Sequence, residues 1–367
     1  MGETLPSEKD CQVRFGKNMS VQVEMCAPHL PAEWSLQSGV QLTWPHEETD
    51  WAYMLDEVEA CFVEIARAIA QRELLLVVTP HPDRVRQRLE AEGICMDQVR
   101  MATCATNDTW ARDHGALTLL GYSTPQLLDF KFNGWGLKFA ADKDNLINRH
   151  LVEQGALHGT YVNRLNFVLE GGSIESDGCG TLLTTSECLL SPNRNGQFNR
   201  TEIEERLRMM FHLQQVLWLD HGYLRGDDTD SHIDTLARFC SPDTIAYVHC
   251  DDPTDEHFPA LSRMEKQLAT FRRLDGKPYR LLPLPLPRPI FDEDGLRLPA
   301  TYANFLIMNE AVLFPTYAQP DLDAEAAQVL AEAFPDKEIV GIDCRALIRQ
   351  HGSLHCVTMQ YPVGVLE

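Results

Sequence analysis

Apolar residues recur at helical spacing along residues 51–71, where Trp51, Leu55, Val58, Phe62, Ile65 and Ile69 share one face. The next apolar stretch is continuous. Residues 73–78 read ELLLVV, a buried strand that Thr79-Pro80 stops. The same exchange, an amphipathic period followed by a short apolar run, continues to the C-terminus. It predicts helices at 82–91, 142–154, 201–213, 256–273 and 324–334. It predicts strands at 127–132, 165–169, 181–185, 216–219, 244–249, 279–286, 305–314, 338–342 and 354–360. Strands and helices that alternate over the whole length define an α/β fold. A unit of short strands plus one helix recurs about five times, without an exact sequence repeat. The proline-rich stretch from Leu282 to Pro289 fits an extended edge or loop segment better than a linker.

Composition narrows the class. The chain has 367 residues, 44% of them hydrophobic, enough for a core of ordinary size. Lys and Arg total 32 against 54 Asp and Glu, a net charge of -22. That surface repels nucleic acid and anionic membrane and suits a small cationic substrate. An ordinary soluble acidic protein would carry the same charge. Residues 1–20 contain no apolar run of the secretory type, and no stretch approaches the roughly 18 apolar residues of a membrane span. The eleven cysteines are an odd number without paired spacing. They are expected to be reduced thiols in a cytoplasm, ten of them small buried residues.

Four polar motifs stand out: Trp110-Ala111-Arg112-Asp113, Glu170-Gly171-Gly172, His232-Ile233-Asp234 and His355-Cys356. Read as an extended segment, His232 and Asp234 would face one pocket with Ile233 behind them. A calcium loop does not fit the cluster 227–234, because Ile233 and Phe239 stand where Gly and Glu are required. A capped helix start is the plainer alternative. Trp110 beside Asp113 suits a flat cation, by stacking on a face and hydrogen bonding at an edge; a core Trp with an Arg112–Asp113 ion pair is the bland version. Glu170, at the inner end of an apolar run, needs a partner, and the two following glycines allow a close backbone approach. In a strand over 354–360, His355 and Cys356 would face opposite ways. The spacing is wrong for zinc, and the order of Cys and His is wrong for a papain-like protease. There is no P-loop, no dinucleotide fingerprint and no GxSxG elbow. Together the motifs supply a nucleophile, a base, a carboxylate to orient the base and two carboxylates able to hold a planar cation, the groups needed to attack a guanidinium carbon.

These motifs resemble, in order along nearly the whole chain, the agmatine deiminase family that includes the bacterial peptidylarginine deiminases. The resemblance starts at Leu30-Pro31-Ala32-Glu33-Trp34 and Thr43-Trp44-Pro45-His46. It passes through 110–115, Glu170-Gly171-Gly172-Ser173-Ile174, 189–195 and 226–234. It closes at Tyr302-Ala303-Asn304-Phe305 and His355-Cys356-Val357-Thr358. It implies the five-bladed, pseudo-symmetric α/β-propeller of the pentein fold as one catalytic domain over 1–367, with the first ~25 residues as a peripheral arm. By the same resemblance Cys356 is the nucleophile, His232 the acid/base, and Glu170 the residue that holds His232. Asp113 and Asp234 clamp the guanidinium, and Trp110 and Asn304 line the pocket. Two positions depart from the family pattern. His351-Gly352-Ser353-Leu354 replaces a Gly-Gly-Gly-Asn run, and Gly115-Ala116 replaces Gly-Pro.

The implied reaction is hydrolytic deimination of a guanidine through a covalent thiouronium, without metal or organic cofactor. The first expectation for the substrate is agmatine, converted to N-carbamoylputrescine and ammonia in putrescine biosynthesis. Asp228 is the expected contact for its distal ammonium. Arginine or peptidylarginine is the alternative substrate, and a non-catalytic binder of cationic ligands the alternative class. The expected partner is the small cationic guanidine alone, with neither nucleic acid nor membrane, and a homodimer is the expected assembly if there is one.

Overall fold

The chain end closes the fold. The last strand, Thr358–Pro362, pairs antiparallel with the first, Gln37–Thr43, so the C-terminus completes a sheet that the N-terminus began. The computed structural model describes residues 27–367, and the expected peripheral arm lies outside the described residues. Among the described residues sixteen strands form five sheets. In chain order they are β1 (Gln37–Thr43), β2 (Leu74–Thr79), β3 (Val99–Thr103), β4 (Leu117–Leu119), β5 (Gln126–Lys131), β6 (Thr160–Val168), β7 (Ile174–Ser176) and β8 (Thr181–Thr185). They continue as β9 (Gln215–Leu219), β10 (Ala237–Ser241), β11 (Thr244–His249), β12 (Arg280–Pro285), β13 (Leu306–Ile307), β14 (Ala311–Thr316), β15 (Glu338–Asp343) and β16 (Thr358–Pro362).

Every sheet repeats one plan: a first strand antiparallel to a middle strand, which is parallel to a third. An antiparallel step needs only a tight turn, but a parallel step needs a crossover, which explains why one helical segment follows each middle strand. The crossover helices are Leu55–Ala70, Ile147–Glu153, Arg200–Phe211, Phe258–Leu268 and Pro320–Ala333. The result is the expected five-bladed α/β-propeller, with β3 added to the sheet that holds both chain ends. Helix Leu55–Ala70 buries Val58, Phe62, Ile65 and Ile69, the face its periodicity marked. Helix Arg200–Phe211 starts on a full capping box, Asn199 and Glu202 exchanging side-chain and backbone hydrogen bonds.

Two predicted strands differ from what forms. Residues 305–314 are a hairpin, β13 and β14, broken because Asn309 turns to hydrogen-bond Glu73 and Gln37. The predicted strand 354–360 begins only at Thr358, and residues 354–357 are a turn anchored on Asn304. The proline-rich stretch forms edge strand β12, where prolines cost no ladder bond on the open side.

Candidate active site

The singled-out residues occupy one structural position, repeated around the ring. Asp113 lies just before β4, Glu170 to Gly172 before β7, His232 and Asp234 before β10, Asn304 before β13, and Cys356 before β16. Each blade's first strand therefore delivers its preceding turn to a common centre. Gly172 shows how close they come. A Cβ at this position would stand 2.7 Å from His232 Nδ1, 2.8 Å from Asp113 Oδ1 and 3.1 Å from Asp234 Oδ2. Gly171 has no more room, with the Arg112 carbonyl 2.2 Å from its Cβ position. The expected close approach at this glycine pair is therefore against the site itself. Gly172→Ala is expected to reduce turnover at least ~100-fold, since misplacing reacting groups by about 1 Å has that cost. Steady-state ammonia release checks this, and near-normal rates would show that the three groups do not act together.

Asp113 sits in the one-turn helix Ala111–His114, 3% exposed. Its Oδ1 accepts from Gly172 N at 3.1 Å and its Oδ2 from Trp135 Nε1 at 2.9 Å. Arg112 does not pair with it, turning instead to Glu33 at 3.1 Å and to Gln360. Burial, together with Asp234 and Glu170, pushes the Asp113 carboxyl up to about 6, against the pull of His232 and Trp135. Asp234 is fully buried. Its Oδ2 meets His355 Nδ1 at 2.7 Å and Cys356 Sγ at 3.8 Å. Its Oδ1 is buried without a hydrogen-bond partner. Burial works against its ionisation, but the His355 hydrogen bond and nearby cations hold its pKa below the usual carboxylate value.

His232 and Asp234 belong to a tight turn, with His232 at the start of the 3-10 segment Ile233–Thr235, and not to an extended segment. Both still reach the centre. His232 Nδ1 lies 3.5 Å from Asp113 Oδ1, and neither ring nitrogen has a hydrogen-bond partner. Burial disfavours the imidazolium, but Asp113, Cys188 and Glu170 outweigh it and raise the pKa to about 10. Glu170 spends its hydrogen bonds on Arg194, at 2.8 and 3.1 Å from Nε. It acts on His232 through its charge, within a cluster that also holds Cys188.

His355 and Cys356 occupy a turn and not a strand, and both side chains reach Asp234 Oδ2 instead of facing opposite ways. Cys356 Sγ lies 3.2 Å from Asn304 Nδ2, and Asn304 Oδ1 accepts from the backbone of His355 at 2.8 Å and of Cys356 at 3.3 Å. Asn304 is thus behind the cysteine more than in the pocket wall. Burial, Asp234 and Asp113 all push the Cys356 thiol up, so it is protonated while the site is empty.

A cavity of about 210 Å³ opens onto Cys356 and Asp113. Its walls include Trp110 and Trp135, edge to face at 6.1 Å. Trp110 stands against Gly352, where a Cβ would fall 2.1 Å from the indole. Trp135 escaped the sequence reading. It lies in a Gly-Trp-Gly turn with φ 54, a left-handed conformation costly for a Trp and typical of functional sites. His351, where the family pattern has glycine, is also left-handed at φ 66, its Nδ1 bonded to the Gly226 carbonyl at 2.8 Å. Further out are Glu48, Asp50, Asp108, Asp144 and Asp228, with Lys143 as the one Lys or Arg in the wall. Burial and mutual repulsion with Asp50 and Asp144 push Asp108 up to about 8. Burial likewise raises Asp144 to about 7 and Asp228 to about 6.

Among the described residues three groups have ligand atoms close enough for a metal: Glu170, Cys188 and His232; Glu33, Glu175 and His355; and His46, Glu47 and His81. In the first two the carboxylates are engaged by Arg194 and Arg238. In the third, the nitrogens of His46 are engaged by Thr106 at 2.9 Å and Glu48 N at 3.2 Å. No helix among the described residues is long and apolar enough to cross a membrane.

Comparison with known proteins gives the family and the fold. The family model of Porphyromonas-type peptidyl-arginine deiminase matches residues 29–362. Agmatine deiminase of Ectopseudomonas mendocina is 32% identical over 360 residues, covering 91% of this chain and 95% of the relative. A solved structure from Porphyromonas gingivalis, provisionally named an arginine deiminase, is 54% identical with a TM-score of 0.86, covering 93% of this chain and all (100%) of that one. A cysteine-to-serine variant of C. jejuni agmatine deiminase, solved with substrate bound, is 38% identical with a TM-score of 0.83, covering 94% and 98%.

Proposed function

We propose that this protein, which belongs to the agmatine deiminase and Porphyromonas-type peptidyl-arginine deiminase family, hydrolyses the guanidino C–N bond of agmatine with Cys356 as nucleophile. The observation that carries the reading is the cavity, which ends on Cys356 between two buried carboxylates and is acidic to its mouth. Asp113 and Asp234 take the N–H groups of the planar guanidinium and hold its carbon against the sulfur, an orientation effect. The arriving cation offsets the two charges that keep the thiol protonated, so the Cys356 proton leaves to solvent as substrate binds.

The thiolate adds to the guanidinium carbon and gives a neutral tetrahedral adduct. His232 rests protonated and donates to the departing nitrogen, so ammonia leaves and a cationic S-alkylthiouronium remains. The now neutral His232 takes a proton from water, hydroxide adds to the same carbon, and the C–S bond breaks to give N-carbamoylputrescine and Cys356. A single imidazole serves as acid and then base, and its raised pKa suits the first of these roles.

Agmatine is favoured over arginine because the outer wall crowds five acidic side chains, whose ionisation a distal ammonium would favour, against one lysine and, among the described residues, no Arg for an α-carboxylate. Ammonia release from agmatine, arginine and peptidylarginine tests this, with agmatine expected to lead arginine by on the order of 100-fold. Faster turnover of arginine or a peptide would move the substrate and keep the reaction. Asp228 is the proposed ammonium contact. Asp228→Asn is expected to raise KM for agmatine about tenfold with kcat little changed, since it touches the distal end and not the reacting carbon. An unchanged KM would assign the ammonium elsewhere in the acidic wall.

A further inference from the structure

Glu33 belongs to a motif that the reaction does not use, yet it lies behind the site in a buried charge network. Its oxygens are 2.9 and 3.1 Å from His355 Nε2. Arg112 reaches it at 3.1 Å and Arg238 at 2.5 Å. Arg238 is fully buried in β10, pairs also with Glu175 of β7, and donates to the carbonyls of Ala303 at 3.1 Å and Phe305 at 2.7 Å. His355 passes the network on to the site, its Nδ1 standing 2.7 Å from Asp234 Oδ2. Buried charges carry a large desolvation cost, and a fully paired set is retained where it fixes geometry. Within the network Arg112 Nε and Asp234 Oδ1 have no partner, and the second belongs to the carboxylate beside Cys356.

We infer that Glu33 and His355 are positioning residues for the reaction, a Glu33–His355–Asp234 chain that aims the free Asp234 oxygen at the substrate. This rests on the reading of Asp234 as a guanidinium ligand. Nε2 can accept from Arg238 Nη2 at 3.1 Å, and in that tautomer the ring proton sits on Nδ1 with Asp234 Oδ2 as its acceptor, while Glu33 holds the Arg238 guanidinium in place. That bond fixes the carboxylate's rotation about its Cβ–Cγ axis and leaves Oδ1 pointing at the substrate. His355 and Cys356 are neighbours in sequence, so one short turn carries both the nucleophile and the group that aims its carboxylate.

The test compares Glu33→Gln, Asp234→Asn and the double variant, with rates expressed per alkylatable Cys356. Glu33→Gln is expected to lower kcat/KM for the preferred guanidine 10- to 100-fold alone, but less than about threefold when Asp234 is already Asn, because the two act on one group. A second pair reads the ring's two edges. An Asn amide reaches the Nδ1 position and a Gln amide the Nε2 position, so His355→Asn is expected to retain at least about ten times the activity of His355→Gln. Equal losses from Glu33→Gln in both backgrounds, or equal activity of the two His355 variants, would overturn the positioning role and leave a structural one. A wild-type protein inactive on agmatine, arginine and peptidylarginine would instead remove the deiminase reading itself.

Discussion

Cys356→Ala is expected to bring ammonia release down to the uncatalysed background while the protein stays folded. The substitution removes one small atom from a turn held by backbone bonds to Asn304, and those bonds do not use the sulfur. Among the nine described cysteines, Cys356 is the one in the wall of the cavity that also holds Asp113. Cys188 is the instructive comparison, because it too lies beside His232. It is fully buried against Glu170 and Arg194 and has no route to a substrate in the cavity. Cys188→Ala is therefore expected to retain substantial activity where Cys356→Ala retains none. Rapid acid quenching of the wild-type enzyme with substrate should add the mass of the thiouronium to the peptide containing Cys356. Near-normal ammonia release from Cys356→Ala would end the covalent mechanism. Loss of activity in Cys188→Ala alone would move the nucleophile.

Much of the fold was legible because apolar period and strand runs mark the five crossover helices and the middle and third strands of four blades; in the blade that holds both chain ends the middle strand, β1, was not predicted. The strands 181–185 and 244–249 and the helix 82–91 form with the predicted ends. The first strands were mostly not legible, for a physical reason. Three of them are only two or three residues long, and two carry a charge: β7 bears Glu175 and β10 bears Arg238, which pair with each other. A hydrophobicity pattern reads such segments as polar loops, since the compensating partner lies in another blade. The same cause hid the role of Glu33. The reaction groups were found because Cys, His, Asp and Glu stand next to glycines and aromatics in motifs that resemble the family's in order; that they fall once per blade is visible only in the structure. Trp135 offered only its Gly-Trp-Gly context, and the left-handed turn that brings it to Asp113 is a tertiary fact.

Asp113→Asn and Asp234→Asn should each lower kcat/KM by at least ~10³, the cost of removing a charged partner and of letting the reacting carbon drift. The two should fail differently. Asp113 is the leading source of the raised His232 pKa, so Asp113→Asn also lets the imidazole lose its proton nearer its ordinary value and weakens the acid needed for ammonia departure. Asp234→Asn leaves that pairing but turns an amide toward the His355 proton, so its loss falls on the orientation of the substrate and sulfur. The wild-type pH profile follows from the same groups. Asp113 must be ionised to hold the guanidinium, and its pKa is raised to about 6. Its carboxylate is therefore lost as pH falls through that value, and kcat/KM should decline by a further tenfold per pH unit below it. On the alkaline side the His232 acid is lost only near its pKa of about 10. Above 6 the thiol of the free enzyme must still lose its proton as substrate binds, so kcat/KM should keep rising with pH, and Asp113→Asn should erase the extra steepening below 6 while Asp234→Asn keeps it. A steepening that survives unchanged in Asp113→Asn would mean that another group titrates there, and the assignment of Asp113 as the ionised clamp would fall.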